Sequence, residues 1–201
     1  MRKKTETRRE AILEHALVAF RKEGFEGASM SRIAAEVGGS KATLYNYFPS
    51  KEELLLQAML QSGNKHAADI MALLSRNPDL PTQLHGFVHS LLALINAPET
   101  IEVLRVAIAV GAKTDVGKRF YEMGSHTVWK AIAQVLEQEM NRGHLKKTDP
   151  TLMAMHLRCL CEADLIRNLM GAGKAVSAAE LDQQAAYIVT IFLDVYGIQQ
   201  N

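Results

Sequence analysis

Between Ser40 and Lys51 the chain carries side chains suited to reading the edges of nucleic-acid bases. Asn46 bears an amide that can hold adenine through two hydrogen bonds. Lys41 can reach guanine or a phosphate, and Ala42 or the Thr43 methyl can touch a thymine methyl. Tyr45 and Tyr47 offer hydroxyls to phosphates. At about 100° per residue on a helix, Ala42, Thr43, Tyr45 and Asn46 point largely outward. Leu44 and Phe48, one turn apart, face inward together. Lys51 opens the next helix, where backbone amides and its own charge suit a phosphate. Ser29 and Ser31, at the start of the preceding helix, complete the candidate nucleic-acid contacts.

Other constellations give no catalytic residue, metal ligand or cofactor site. His85 and His89 are four apart and could share a metal, but no carboxylate or cysteine on the same helix completes a set. Gly171-Ala172-Gly173-Lys174 lacks the upstream glycine and the following Ser or Thr of a phosphate loop. Glu162 and Asp164 cannot face one site from one helix at that spacing, and there is no nucleophile elbow or zinc-hydrolase motif. Cys159 and Cys161 fall on nearly opposite sides of a helix. They read as core or near-core thiols of a reducing cytoplasm, not as a disulfide.

The elements around the base-reading set form a pattern of their own. Ser29 is a good N-cap, and Ile33, Ala34 and Val37 give a short helix its apolar stripe. Gly38-Gly39 supplies the open backbone of a sharp turn. Ser40 caps a second helix, which Pro49 stops. Two short helices around a glycine turn are the layout of a helix-turn-helix, whose second helix enters the DNA major groove. Charge agrees. The chain has 201 residues and a net charge of +1, yet residues 1–51 hold ten basic and six acidic side chains, +4, which leaves −3 for the remainder. The basic part is the part that must meet phosphates.

The rest of the pattern is helical, with no strand signal. Residues 1–6 read as a basic arm, and Thr7-x-x-Glu10 as a capping box that opens a first helix ending at Gly24. A long helix runs from the Ser50-x-x-Glu53 box to about Ser75. Asn77-Pro78 and Leu80-Pro81 mark a turn. Further helices cover about 82–96, 98–112, 117–141, 150–170 and 177–196, the last opened by Ser177-x-x-Glu180. That is an all-α chain of nine helices, with a three-helix head at residues 1–52 and a six-helix body at 53–201. No run of 18 apolar residues exists to span a membrane. The basic N-terminus is followed by no apolar segment of a secretory signal. Helical stripes on the last two helices exceed what one body face needs. Leu157, Leu165, Ile188 and Phe192 are the candidate seam of a two-fold homodimer. Trp129 reads as half-buried packing or as a pocket wall.

The run Gly38-Gly39-Ser40-Lys41-Ala42-Thr43-Leu44-Tyr45-Asn46-Tyr47-Phe48-Pro49-Ser50-Lys51-Glu52-Glu53-Leu54 resembles the tetracycline-repressor (TetR) family of bacterial one-component regulators, over roughly residues 7–58. The body resembles the AefR-like subgroup around Arg105 to Gly124. Gly39 departs from the family pattern, in which many members carry a Val. The resemblance implies a body whose helices 4 to 8 enclose an apolar effector cavity. Leu104, Ile108, Phe120, Met123 and Thr127, on inward-reading stripes, are its candidate walls, and the nine Met residues could make it adaptable. The expected protein is a cytoplasmic homodimeric repressor of a double-stranded DNA operator, released by a small apolar or amphipathic effector. The rivals are a DNA-binding regulator whose body binds a protein partner and no small molecule, and a helical ligand-binding or enzymatic protein with an idle hairpin.

Overall fold

A computed structural model describes residues 2–74 and 79–198. Eleven α-helices follow one another among them: α1 (Arg2–Gly27), α2 (Met30–Glu36), α3 (Lys41–Tyr47), α4 (Lys51–Leu73), α5 (Leu80–Asn96), α6 (Pro98–Gly111), α7 (Val116–Met123), α8 (Ser125–Asn141), α9 (Pro150–Cys161), α10 (Leu165–Leu169) and α11 (Ala178–Tyr196). The only extended pairing among the described residues is an isolated bridge between Leu145 and Gly197. The turn expected at Asn77-Pro78 lies outside the described residues.

Several boundaries differ from the sequence reading, each for a local reason. α1 begins at Arg2 and runs through the Thr7-x-x-Glu10 pattern, so that pattern opens no helix. It continues past Gly24 to Gly27, and the break appears as a kink, with Gly24 at φ 70°. α5 starts two residues earlier than expected, because Asp79 caps it by accepting from the Thr82 backbone N–H at 3.0 Å and Pro81 fits its first turn. The 117–141 stretch divides at Gly124, whose backbone (φ −101°, ψ −98°) interrupts the helix. The 150–170 stretch divides at the 162–164 turn.

The chain forms two compact units. The first comprises residues 1–64 and 102–124, so the unit that holds the helix-turn-helix is larger than the 1–52 head expected from sequence. Its core joins Ile12, Phe20, Ile33, Leu44, Phe48 and Leu55 to Val103, Ala107, Val110 and Val116. Three long-range ion pairs accompany that core: Arg21 with Glu102, Lys113 with Glu26 at 3.3 Å, and Arg119 with Glu53 at 2.9 Å. Gly117 permits the approach of α7 to α6. A Cβ there would lie 2.7 Å from the Gly111 Cα and 2.8 Å from the Ala107 carbonyl oxygen.

The second unit comprises residues 65–101 and 125–201. Its core includes Leu84, Phe87, Ile132, Leu136, Met153 and Leu157, with Ala185, Ile188 and Phe192 from α11. Glu139 is buried, and His144 Nδ1 lies 2.6 Å from its carboxylate. The end of α11 is tied to the loop after α8: the Lys146 N–H donates to the Tyr196 carbonyl at 2.8 Å and the Ile198 N–H to the His144 carbonyl at 3.1 Å.

Candidate nucleic-acid interface

The helix-turn-helix is built as its residue types require. Ser29 sits at the α2 N-cap with extended backbone, but its side chain makes no capping bond. Met30, Ile33 and Ala34 bury the inner side of α2, while Ser29 and Ser31 are exposed. The chain then turns through Gly38, at φ 66°, a conformation that disfavours a side chain. Gly39 plays a different part. A Cβ there would sit 3.1 Å from an Arg8 guanidinium nitrogen, and the same guanidinium donates to the Gly38 carbonyl at 3.3 Å. Arg8 thus occupies space beside the turn and ties it to α1.

α3 divides cleanly into two faces. Ser40 caps it, its Oγ accepting from the Thr43 N–H at 3.1 Å. Leu44 and Phe48 are each 1% exposed and anchor the helix in the core. Lys41, Ala42, Tyr45 and Asn46 are exposed. The Lys41 ammonium lies 5.9 Å from the centroid of the Tyr45 ring, so the two share one corner of that surface. Thr43 and Tyr47 are only half-buried, and each has other attachments. The Thr43 hydroxyl lies 2.9 Å from the Ser40 hydroxyl, and Tyr47 packs against the core.

Lys51 is engaged differently from the sequence reading. Its ammonium sits 4.7 Å from the centroid of the Phe25 ring and donates to the Glu26 carbonyl at 3.3 Å. Glu52 and Glu53 share the first turn of α4 and offset its unfavourable place near the helix dipole. Lys51 therefore pins α4 to the end of α1.

A polar chain links α1, α4 and α7. The Arg9 guanidinium lies 5.2 Å from the Phe48 ring centroid and donates to Gln57 Oε1 at 3.1 Å. Gln57 donates to Glu53 Oε1 at 2.8 Å, and Arg119 donates to Glu53 Oε2 at 2.9 Å. The Gln57 hydrogen bond, then Arg119, hold the Glu53 carboxyl below its ordinary range, although burial pushes the other way. In sequence Arg9, Gln57 and Arg119 read as solvated helix-face side chains and Glu53 as a capping-box partner of Ser50, so only the fold brings them together.

Comparison with known proteins agrees with this geometry. Residues 12–58 match the family of bacterial regulatory proteins of the tetR family, and residues 82–198 match the C-terminal domain of AefR-like transcriptional repressors. The chain belongs to the TetR family of transcriptional regulators. It is a DNA-binding regulator with a helix-turn-helix head and a helical body. A TetR-family regulator from Mesorhizobium loti is similar in structure, with a TM-score of 0.87 and 28% identity, covering 96% of this chain and 98% of that one. The nucleoid occlusion factor SlmA of Haemophilus influenzae is 23% identical over 90% of this chain and 83% of its own length. The HTH-type transcriptional regulator LmrA of Bacillus subtilis is 27% identical over 67% of this chain and 71% of its own.

The remaining candidates of the TetR body fall in other places. Leu104 and Phe120 are half-buried, while Ile108, Met123 and Thr127 are exposed, so these three do not face inward as their stripes suggested. Leu104, Ile108, Phe120 and Met123 belong to the first unit and Thr127 to the second. Leu157, Ile188 and Phe192 are 0%, 8% and 1% exposed and form intramolecular core, and Leu165 lines a cavity. The exposed apolar side chains of the same helices are Leu152, Met155, Ile166, Tyr187 and Val195, with Met170 just after α10. Periodicity found the stripes but took the buried side for the outer one. Trp129 is half-buried, edge-on to Phe87, with the Arg158 guanidinium 5.9 Å from its ring centroid. Cys161 is buried and Cys159 exposed, so only the first is a core thiol; burial and then Glu162 push it up to about 12. His85 and His89 stack, and Asp182 lies 3.4 Å from His85, but no group of three or more metal-ligating side chains occurs among the described residues. No described helix is long and apolar enough to cross a membrane.

Proposed function

We propose that this protein is a cytoplasmic, homodimeric repressor that reads an operator with Asn46, Lys41, Ala42 and Tyr45 of α3. The observation that carries the reading is the division of α3, whose Leu44 and Phe48 are buried while those four side chains are exposed together. Asn46 and Lys41 supply base-edge contacts, Ala42 or the Thr43 methyl meets a thymine methyl, and Ser29, Ser31, Tyr45 and Tyr47 supply hydroxyls toward phosphates. Lys51 holds the start of α4 in place, so that its amides stay presented to the backbone.

Exposed apolar side chains on α9, α10 and α11 support the dimer, because large exposed apolar surface marks interaction sites. A two-fold pair would place two α3 helices roughly 34–36 Å apart, one turn of DNA. An effector that binds the body would shift the population away from the DNA-competent state, and no catalysis is required. The second reading gives the body a protein partner and no small molecule. A cavity in the second unit supports the small-molecule reading. Footprinting on the DNA that flanks the protein's own coding region, followed by a gel shift with and without candidate effectors, tests both. A protected palindrome released by a small molecule supports the repressor. Protection that no small molecule alters supports the protein-partner reading.

A further inference from the structure

The second unit contains a cavity of about 240 Å³ between α5, α9, α10 and α11. None of the residues expected to form an effector pocket lines it. Its apolar walls include Leu92, Ile95, Leu160, Leu165, Ile188 and Ile191. Asn96, Asp164, Asn168, Gln184 and Tyr187 also line it and supply polar groups. Two of these are fixed: Asn168 donates to the Asn96 side-chain oxygen at 2.6 Å, and Asn96 donates to the Leu92 carbonyl at 2.8 Å. Apolar walls with a few convergent polar groups are the usual make-up of a small-molecule site.

Charge narrows the ligand. No lysine, arginine or histidine is among the described residues that line the cavity. The one ionic group there is the Asp164 carboxylate, whose partner is Arg167 at 3.0 Å. A carboxylate ligand would leave water without a cation to meet it, and it would face Asp164. A hydroxyl or amide ligand would meet side-chain amides and a carboxylate that can accept. Size narrows it further. A cavity of roughly 150 Å³ holds benzene, and drug-sized ligands take about 300–1,000 Å³.

We propose that this cavity binds a neutral one- or two-ring molecule carrying a single hydrogen-bonding group, and that it discriminates against carboxylates. Binding stands on the cavity, whose lining residue Tyr187 also belongs to the proposed dimer face, so the test reads binding in the assembled protein. Only its consequence for DNA rests on the regulatory reading above.

The test uses the full-length protein and three probes of one shape: 2-naphthol, naphthalene and 2-naphthoate, followed by calorimetry and thermal shift at neutral pH. The expected order is naphthol, then naphthalene, with naphthoate at least tenfold weaker than naphthol. Ala163→Trp, at an exposed turn position on the cavity wall, should abolish naphthol binding without lowering Tm. Gln184→Arg should bring a cation into the cavity and invert the preference toward naphthoate. The proposal is overturned if naphthol does not bind at millimolar concentration, as when a second copy already fills the cavity. It is equally overturned if naphthoate binds as well as naphthol, or if Ala163→Trp leaves naphthol binding intact. If naphthol binds yet leaves operator binding unchanged, the site stands and the effector reading falls. If it fails to bind while operator binding persists, the site falls and the DNA-binding reading stands.

Discussion

Replacing Phe192 by Ala separates core from seam on α11. The ring is 1% exposed and lies 5.2 Å from the Tyr196 ring, inside the core of the second unit. Truncating a buried Phe to Ala costs about 3–5 kcal/mol, the lost transfer energy plus the cavity left behind. That is a large part of the roughly 5–15 kcal/mol that holds a typical domain folded. Met155, on α9, is 50% exposed, and a charge there should cost a single chain no more than about 0.5 kcal/mol. Met155→Glu should nevertheless split the proposed dimer, because it places a carboxylate among the exposed apolar side chains offered as the seam. The assay is urea denaturation at several protein concentrations, with mass measured by light scattering. Dimer dissociation makes apparent stability depend on concentration, whereas core damage lowers it at every concentration. The expected result is a destabilised Phe192→Ala protein and a stable Met155→Glu monomer. A well-folded Phe192→Ala monomer would refute the assignment of this face to the core.

Three other outcomes follow from local structure. The Glu53 carboxyl is held low in the folded protein, so its contribution to stability is present above its ordinary value near 4.5 and is lost as pH falls through the folded value. Glu53→Gln should therefore flatten the loss of Tm in acid below about pH 4.5, which a pH series of thermal melts would show. Gln83 is 7% exposed and its side-chain oxygen has no hydrogen-bond partner among the described residues. Gln83→Leu should raise stability by about 1 kcal/mol in urea titrations, since an unpaired buried polar atom is unfavourable. Gly117→Ala should lower stability by about 1–3 kcal/mol, because a Cβ there meets the backbone of α6.

Much of the nucleic-acid face was legible because local chemistry decides it. Ser40 caps α3 through its own hydroxyl, Gly38 takes a positive φ, and Pro49 follows where the helix ends. The body was legible as helices but not as surfaces. A stripe such as Leu104, Ile108 or Ile188, Phe192 marks a helix side without naming the neighbour it meets. The first unit's larger extent depends on pairs such as Arg119 with Glu53 and Lys113 with Glu26, 66 and 87 residues apart. The cavity draws its wall from four helices, and no single stretch carries its signature. Lys51 illustrates a related difficulty: the ammonium suited a phosphate in sequence, and the Phe25 ring and Glu26 carbonyl hold it in the fold.

The most direct test of base reading by α3 is the affinity of Asn46→Ala for operator and for scrambled DNA at one salt concentration. Asn46 is exposed on the outer face, so the substitution should leave folding intact. The account predicts a loss of about 1–3 kcal/mol on the operator, relaxed preference at one base pair, and little change on scrambled DNA. Equal weakening on both DNAs would contradict it, because Asn46 would then meet the backbone and α3 would not be the element that reads sequence.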